Sequence, residues 1–359
     1  MRVHPRWKVW MDAWPYEMNV PCLLVFGGRR DPHVTRVADR LLQGGANVYF
    51  FDLDADIGVH ACVSDQISLE LFLTVVDYKT GEVVELPDGP TVAWIRYKWP
   101  KHPIVSGLDQ ERFHRLSEFE FFFYEFLRSR AIKHFNARSA LELMDSKLAQ
   151  LSLASRLGFA IPNTIVSSRP DKIVNFVSDN DGDCIMKAFQ KSFIPPAADG
   201  SRKAFTIMTN AVTGEDIVQD GAESLSWAPC IFQDRIEKAY ELRIVATQRR
   251  CVAYKIDSQN SELGQLDWRH AQFEKIFASY ELSRAHEALF IEFVKQANLH
   301  YGVFDAAVTR DGELVFIECN ADGQWAWLER DCQSDDITQA LVEMIDDLLN
   351  DETSLEASA

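Results

Sequence analysis

The feature that most constrains the fold is a pair of apolar segments near the C-terminus that together carry three oxygen-bearing side chains. Residues 301–320 (YGVFDAAVTRDGELVFIECN) contain an Asp-Gly pair at 311–312, a strong hairpin-turn signal between two predicted strands. Asp305 lies on the first strand, and Glu318 and Asn320 lie on the second. A side-chain period of two places Glu318 and Asn320 on one face, and pairing across the turn can bring Asp305 beside them.

These three side chains predict a magnesium site. Mg²⁺ takes few protein ligands and shares its remaining coordination positions with phosphates and water. The competing interpretation is an acidic hairpin exposed to solvent. Apolar neighbours such as Phe304, Phe316 and Ile317 disfavour that interpretation, because they do not suit a wet surface.

Candidate phosphate-binding cations precede the hairpin. Lys187 lies inside an apolar predicted strand (CIMKAF), where an unpaired ammonium group is costly to bury, so an anionic partner is expected. Lys147 lies on a predicted helix, and taken alone it is also compatible with an ordinary surface position. Glu241 and Arg243 alternate on one strand and share a face. The carboxylate can hold ribose hydroxyls, and the guanidinium can hold phosphate through a bidentate fork.

The first part of the chain has a strand–helix–strand pattern over residues 21–57. The apolar run CLLVFGG precedes a segment with helical periodicity, DPHVTRVADRLLQGG, and the strand-like NVYFFDLDAD follows. This pattern predicts a Rossmann-like lobe. The glycines at 27 and 28 do not form a G-x-G-x-x-G fingerprint, so no nucleotide is assigned to this lobe.

Changes in pattern divide the chain into five predicted parts. These are an N-terminal extension (1–20), an N-terminal domain (21–130), a central lobe (131–235), a C-terminal lobe (236–350) and a disordered tail (351–359). A segment rich in Pro, Gly and Lys, at 191–205, is expected to be a mobile loop. A helix over 109–129 contains FEFFFYEF, which is too aromatic to be solvated all round and is expected to pack between lobes.

Composition excludes several classes of protein. A net charge of −17 argues against a general nucleic-acid binder, which needs clustered Lys and Arg. The sequence has no apolar run of about 18 residues, so no membrane span is expected. Its N-terminus lacks the apolar stretch of a signal peptide. Seven scattered cysteines without a C-x-x-C pair fit a reducing cytosol, so a cytoplasmic location is expected.

The order of these features resembles the ATP-grasp superfamily, and three phrases resemble the ATP-grasp peptide maturases that make graspetides of the microviridin type. The phrases cover residues 136–164, 255–269 (with K-I-x-S-Q and D-W-R) and 301–329 (with N-x-x-G-Q-W-x-W-x-E). The segment 31–45 is also similar to the N-terminal lobe of those maturases. The resemblance covers about residues 20–345. It implies an α/β and α+β architecture: an ATP-grasp fold with a Rossmann-like N-terminal lobe and two α+β lobes that enclose ATP.

The resemblance also implies roles for individual residues. Lys147 and Lys187 are expected to hold ATP phosphates, and Glu241 is expected to hold the ribose. Gln233 and Ile236 are the expected adenine contacts.

Metal and catalytic roles follow from the same resemblance. The expected Mg²⁺ ligands are Asp305, Glu318 and Asn320. Arg243 and Arg269 are expected to face the γ-phosphate and the acyl-phosphate, with Lys187 also stabilising the transferred group.

Two segments depart from the pattern of these maturases. The hinge sequence is FQDRI, where relatives often carry a Glu. The phrase VAWIRYKW offers Arg96 and Lys98 where these maturases tend to have paired arginines.

The implied activity is an ADP-forming ligase that activates a carboxylate as an acyl-phosphate with ATP and Mg²⁺. The leading hypothesis is a graspetide synthetase that forms ω-ester or ω-amide rings in a ribosomal precursor peptide with a leader and an acidic core. A peptide–amino acid ligase is the second hypothesis. A nucleotide-binding module without catalysis is the third, and the intact lysine and metal-ligand set argues against it. The sequence leaves a homodimer open.

Overall fold

The computed structural model describes residues 21–28, 30–51, 59–62, 70–77, 83–85, 90–96, 110–129, 132–189, 193–194, 205–206, 209–220, 228–261, 268 and 276–350. The predicted N-terminal extension, the predicted tail, Lys98, Arg269 and most of the 191–205 segment lie outside these residues. Within them, no helix is long and apolar enough to cross a membrane.

The first part of the chain forms a mixed sheet flanked by helices. Its elements are β1 (Cys22–Phe26), α1 (Pro32–Gln43), β2 (Asn47–Phe51), β3 (Val59–Cys62), β4 (Glu70–Asp77), β5 (Val83–Glu85), β6 (Thr91–Ile95), α2 (Gln110–Ser129) and β7 (Lys133–Phe135). The strand order is β3-β4-β2-β1-β6-β7, and β5 pairs with β4. Strands β2, β1, β6 and β7 run parallel, whereas β4 is antiparallel to β2. The expected strand–helix–strand opening is therefore present.

The middle of the chain builds a small antiparallel sheet. Its elements are α3 (Arg138–Asp145), α4 (Lys147–Leu157), β8 (Thr164–Ser167), α5 (Pro170–Asp179), β9 (Asp183–Lys187), β10 (Phe193–Ile194), β11 (Phe205–Thr206), β12 (Asn210–Thr213), α6 (Gly214–Asp220) and β13 (Cys230–Asp234). The sheet order is β12-β9-β13-β8. Strands β10 and β11 pair with each other, so the described ends of the expected loop form a short two-stranded ribbon.

The last part of the chain is a five-stranded antiparallel sheet with helices on both faces. Its elements are β14 (Lys238–Thr247), β15 (Cys251–Ile256), β16 (Phe277–Tyr280), α7 (Arg284–Gln296), β17 (Tyr301–Thr309), β18 (Leu314–Asn320), α8 (Ala326–Cys332) and α9 (Asp336–Asn350). The strand order is β16-β15-β14-β17-β18. The predicted hairpin is confirmed as β17 and β18, with Gly312 at φ +86° in the turn between them.

The two faces of this C-terminal sheet have different partners. One face, which includes Ile244, Phe304 and Phe316, packs against α3, α4 and α7. The opposite face includes Val245 and Val303, and it joins one continuous core with α1, α9 and the parallel strands of the N-terminal sheet. The N-terminal domain therefore packs on the same sheet face that carries Arg243 and Asp305.

The aromatic helix α2 differs from its expected position. Its buried side chain Phe123 packs against Phe26 and Phe51 of the N-terminal sheet, whereas Phe121 is 62% exposed. The expectation that this helix packs between lobes is wrong for the face that is buried. The physical reason is that a parallel sheet needs cover on both faces, and α2 provides it on the side opposite α1.

A buried amide directly after β7 connects the N-terminal sheet to the C-terminal sheet. Asn136 is fully buried; its Nδ2 donates to the carbonyl oxygens of Tyr301 (2.8 Å) and Ala321 (2.9 Å). Its Oδ1 accepts from the backbone N–H of His300 at 2.8 Å. One side chain therefore satisfies backbone groups at the start of β17 and just after β18.

We expect Asn136→Ala to lower the free energy of unfolding by at least about 2 kcal/mol, because each buried backbone group left without a partner costs about 1–3 kcal/mol. Urea unfolding followed by circular dichroism measures the change. Ser139→Ala, at an exposed position on α3, is the matched control and should stay within about 0.5 kcal/mol of wild type. Equal stabilities for the two variants would contradict this account of the linkage.

Candidate functional site

A polar cluster occupies the middle of the C-terminal sheet. The strand register places Asp305 of β17 opposite Arg243 of β14 on one side and opposite Glu318 of β18 on the other. Asn320 is opposite Val303, two residues from Asp305, so it shares their face. The structure thus brings the predicted metal ligands together with the predicted catalytic arginine.

The contact between Arg243 and Asp305 is a buried ion pair. Nη1 of Arg243 lies 2.6 Å from Oδ1 of Asp305, and the two residues are 5% and 4% exposed. Nη2 donates to the carbonyl oxygen of Gln324 at 2.9 Å. The guanidinium carbon lies over the Trp268 ring, 6.0 Å from the ring centroid. Nε of Arg243 is buried and has no hydrogen-bond partner among the described residues.

A second cation lies beside the second carboxylate. Nζ of Lys147 is 3.8 Å from Oε2 of Glu318, and Nδ2 of Asn320 donates to Oε1 of the same carboxylate at 3.1 Å. Lys147 is the first residue of α4, which begins after the N-cap Ser146. The helix start therefore places Lys147, whose side chain is partly exposed, beside the polar cluster.

Gln150, which the sequence did not indicate, fixes α4 to the metal-ligand strand. This side chain is 5% exposed. Its Nε2 donates to the carbonyl oxygen of Cys319 at 2.9 Å, and its Oε1 accepts from the Cys319 N–H at 2.7 Å. Cys319 lies between Glu318 and Asn320, so the amide holds the backbone of both. A polar residue on the apolar face of a helix was the available signal.

The predicted ribose carboxylate, Glu241, has two partners. Nζ of Lys238 lies 2.8 Å from its Oε1, and the Ser258 side chain also hydrogen bonds to it. Burial raises the pKa of Glu241, and the charge of Lys238 opposes that rise. Strand periodicity puts residues 238 and 241 on opposite faces, but the register shifts between Lys238 and Tyr240. That irregularity brings Lys238 to Glu241, and it is the reason why sequence reasoning missed the lysine.

The central sheet presents Lys187 and Gln233 on one face. Lys187 is opposite Ile231, and Gln233 is opposite Ile185. The alternate residues of these strands pack under α5 and α6, so Lys187 and Gln233 lie on the face that those helices leave uncovered. Nε2 of Gln233 donates to Oγ1 of Thr164 at 3.0 Å.

A short linker connects the central sheet to the polar cluster. Residues 235–237, with Ile236 in the middle, join β13 to β14, and Glu241 follows four residues into β14. The predicted adenine, ribose and phosphate residues therefore follow one another along a continuous path.

The G-Q-W-x-W-x-E and D-W-R phrases lie outside the described strands of the sheet. Glu329, the last residue of the G-Q-W-x-W-x-E phrase, is 1% exposed and accepts from the Thr338 N–H at 2.7 Å, where α9 begins. It also lies 3.4 Å from Arg36 of α1. This glutamate is a helix cap and a domain contact. Arg269 lies outside the described residues, while its neighbour Trp268 packs against Trp327 at 5.1 Å.

The donor set fits magnesium bound together with phosphates. Among the described residues, no group of three or more His, Cys, Asp or Glu side chains is arranged to hold a metal alone. Asp305 and Glu318 supply two carboxylates and Asn320 one amide, and Mg²⁺ in proteins commonly uses one or two carboxylates, with substrate phosphates and water completing its octahedron. Neighbouring Lys147 and Arg243 suit the phosphates.

No protein-family model and no curated protein matches the sequence, but solved structures match it over nearly its full length. The chain is 26% identical to a RiPP-associated ATP-grasp ligase from Chryseobacterium gregarium, with a TM-score of 0.75 over 92% of this chain and 96% of that one. That ligase is in complex with ADP and with a leader and core peptide.

Two further structures agree. The macrocyclase MdnC from Microcystis aeruginosa MRC, bound with precursor peptide MdnA, is 24% identical, with a TM-score of 0.71 over 91% of this chain and 100% of that one. The ATP-grasp ligase PsnB, complexed with a phosphomimetic variant of its minimal precursor, Mg and ADP, is 19% identical, with a TM-score of 0.69 over 91% and 98%. The chain therefore has the ATP-grasp fold, and the expected resemblance is confirmed in three dimensions.

We expect Arg243→Met and Asp305→Asn each to lower the free energy of unfolding by about 3–5 kcal/mol, because each leaves a buried charged group without its partner. The double variant should lose less than the sum of the two single variants, with a coupling of at least about 1 kcal/mol. Urea unfolding of all four proteins measures this coupling. Additive losses would show that the two side chains do not stabilise each other.

Proposed function

We propose that this chain is a graspetide synthetase, an ATP-grasp ligase that joins carboxylate side chains of a ribosomal precursor peptide to Ser, Thr or Lys side chains. The products are ω-esters or ω-amides. Support comes from the likeness to the Chryseobacterium gregarium ligase, which was solved with ADP and a leader and core peptide. The proposed partner is a peptide with a leader and an acidic core, met in the cytoplasm.

The observation that carries the proposal is the pairing of the cations of the site with its own carboxylates. Arg243 lies against Asp305, and Lys147 lies against Glu318. A magnesium–nucleotide complex can exchange with both pairs, because its phosphates suit the cations and its metal suits the carboxylates. Such an exchange keeps the charges compensated. Metal alone or nucleotide alone leaves one member of each pair uncompensated, which is costly for the buried pair of Arg243 and Asp305.

The residues of the site then take distinct roles around the nucleotide. Lys147 and Lys187 bind phosphate oxygens, and Glu241 binds the ribose with Lys238 beside it. Gln233 and Ile236 contact the adenine.

The metal is held by three side chains, Asp305, Glu318 and Asn320. When bound, Mg²⁺ withdraws negative charge from the phosphoryl group being transferred.

Arg243 and Lys187, with Arg269, stabilise the charge that develops during transfer. In the first step a peptide carboxylate oxygen attacks the γ-phosphorus, the bond to the bridging oxygen breaks, and ADP leaves. In the second step a hydroxyl or amine attacks the acyl carbon, loses its proton, and phosphate leaves.

We expect Glu318→Gln to lower ADP formation by at least about 100-fold, because it removes a metal ligand from the transferring phosphate. The matched control is Glu313→Gln, an exposed position at the turn of the same hairpin, which should keep wild-type turnover. Both variants should unfold within about 1 kcal/mol of wild type. Coupled assay of ADP release measures turnover. Near wild-type turnover of the Glu318 variant would remove this residue from the metal site.

We expect each bond formed on the precursor peptide to remove one water, about 18 Da, with one ATP converted to ADP and phosphate. A short acidic, Thr-rich peptide, if one is encoded beside this chain, is the peptide to test. Mass spectrometry of the peptide and chromatography of the nucleotide give the result. A gain of one amino-acid residue would favour the peptide–amino acid ligase instead. AMP as the nucleotide product would contradict both activities, since both need an acyl-phosphate.

A further inference from the structure

The backbone turn that holds Arg243 is itself held by the N-terminal domain. Residues 322–325 follow β18, and the carbonyl oxygen of Gln324 accepts from Nη2 of Arg243 at 2.9 Å. Nε2 of His33 accepts from the N–H of Trp325 at 2.9 Å, and Nη1 of Arg96 donates to the carbonyl oxygen of Asp322 at 3.3 Å. Two side chains of the N-terminal domain therefore hold the turn on either side of Gln324.

Asp31 ties those two side chains to each other. Its Oδ1 lies 2.6 Å from Nδ1 of His33, and its Oδ2 accepts from Nε of Arg96 at 3.0 Å. Burial raises the pKa of Asp31. The His33 hydrogen bond and the Arg96 charge outweigh burial, so the pKa of Asp31 lies well below its usual range. Because Nε2 of His33 accepts from Trp325, the imidazole proton is on Nδ1 and faces the carboxylate.

The turn has little freedom to relax. Trp325 is fully buried, and its ring meets the His33 ring edge-on at 5.1 Å. A Cβ atom at Gly323 would lie 2.5 Å from Cβ of Val303, which shows how closely the turn sits on β17. The position of the Gln324 carbonyl is thus set by β17 on one side of the turn and by His33 and Arg96 on the other side.

We propose that Asp31, His33 and Arg96 are positioning residues which act through the 322–325 turn to fix the guanidinium of Arg243 for phosphoryl transfer. The consequence for rate rests on the proposed function. Arg96, one of the two cations found where the maturases tend to have paired arginines, is 4% exposed in its side chain and engaged with Asp31. The N-terminal domain then contributes to catalysis without contacting the reacting atoms.

The test compares three variants of the full chain. His33→Phe keeps a planar ring but removes the acceptor for the Trp325 N–H. His33→Gln keeps an acceptor oxygen on a side chain of similar reach. Arg36→Met is the matched control, because Arg36 joins the same helix α1 to Glu329 at 3.4 Å without touching the turn.

The first readout is nitrogen-15 NMR of the arginine side chains, with the Arg243 signals identified by their loss in Arg243→Lys. We expect separate Nη1 and Nη2 signals in wild type, because Asp305 and Gln324 hold the two groups apart. They should merge in His33→Phe and stay separate in His33→Gln and Arg36→Met. Unchanged signals in His33→Phe would overturn the proposal, as would merged signals in Arg36→Met, since domain contact alone would then explain them.

The second readout is phosphate release from ATP and Mg²⁺ with the neighbouring precursor peptide. We expect kcat to fall about 10- to 100-fold in His33→Phe, because small misplacement of a transition-state contact has effects of this size. The KM for ATP should change less than about 3-fold, and His33→Gln should recover most of kcat. Wild-type turnover in His33→Phe would overturn the positioning role. If the wild-type protein releases no phosphate but shows the expected NMR pattern, the proposed function is overturned and the positioning contact is supported.

Discussion

The ion pair between Arg243 and Asp305 is the interaction on which the rest of the site depends. Both groups are buried in the middle of the C-terminal sheet, opposite each other in the strand register. Neither is tolerated there without the other, because an uncompensated buried charge costs several kcal/mol. The same pairing places an acidic oxygen and a guanidinium side by side on one face.

One sheet face serves both as a domain interface and as the site. Val245 and Val303 on this face join the core of the N-terminal domain, and the polar cluster continues from them along the same strands. This arrangement explains why the turn after β18 matters. The turn lies where the apolar part of the face meets the polar part, and it contacts His33 on one side and Arg243 on the other. Through these contacts the turn connects the N-terminal domain to the guanidinium.

Although the protein has a net charge of −17, its polar cluster places cations beside carboxylates. Lys147 and Arg243 lie within contact distance of the carboxylates, and Lys187 lies on the uncovered face of the central sheet. Ion pairs of this kind keep the charges compensated in the ligand-free protein.

The sequence by itself determined the features that depend on local periodicity. Alternation in β18 put Glu318 and Asn320 on one face, as the structure has them. Asp305 joins them because the pairing of β17 with β18 shifts register between Asp305 and Ala306. Motif phrases led to the ATP-grasp resemblance, which the solved structures confirm. The strand–helix–strand opening was likewise readable from its apolar pattern.

Tertiary structure alone decided the contacts that join distant parts of the chain. A strand irregularity brought Lys238 to Glu241, against the period of two. Gln150 reached the backbone of Cys319 across 169 positions of sequence. The aromatic helix α2 packs on the N-terminal sheet. The physical reason is common to these cases: periodicity reports which side chains are buried, whereas the partner of a buried group depends on which surfaces meet when the elements pack.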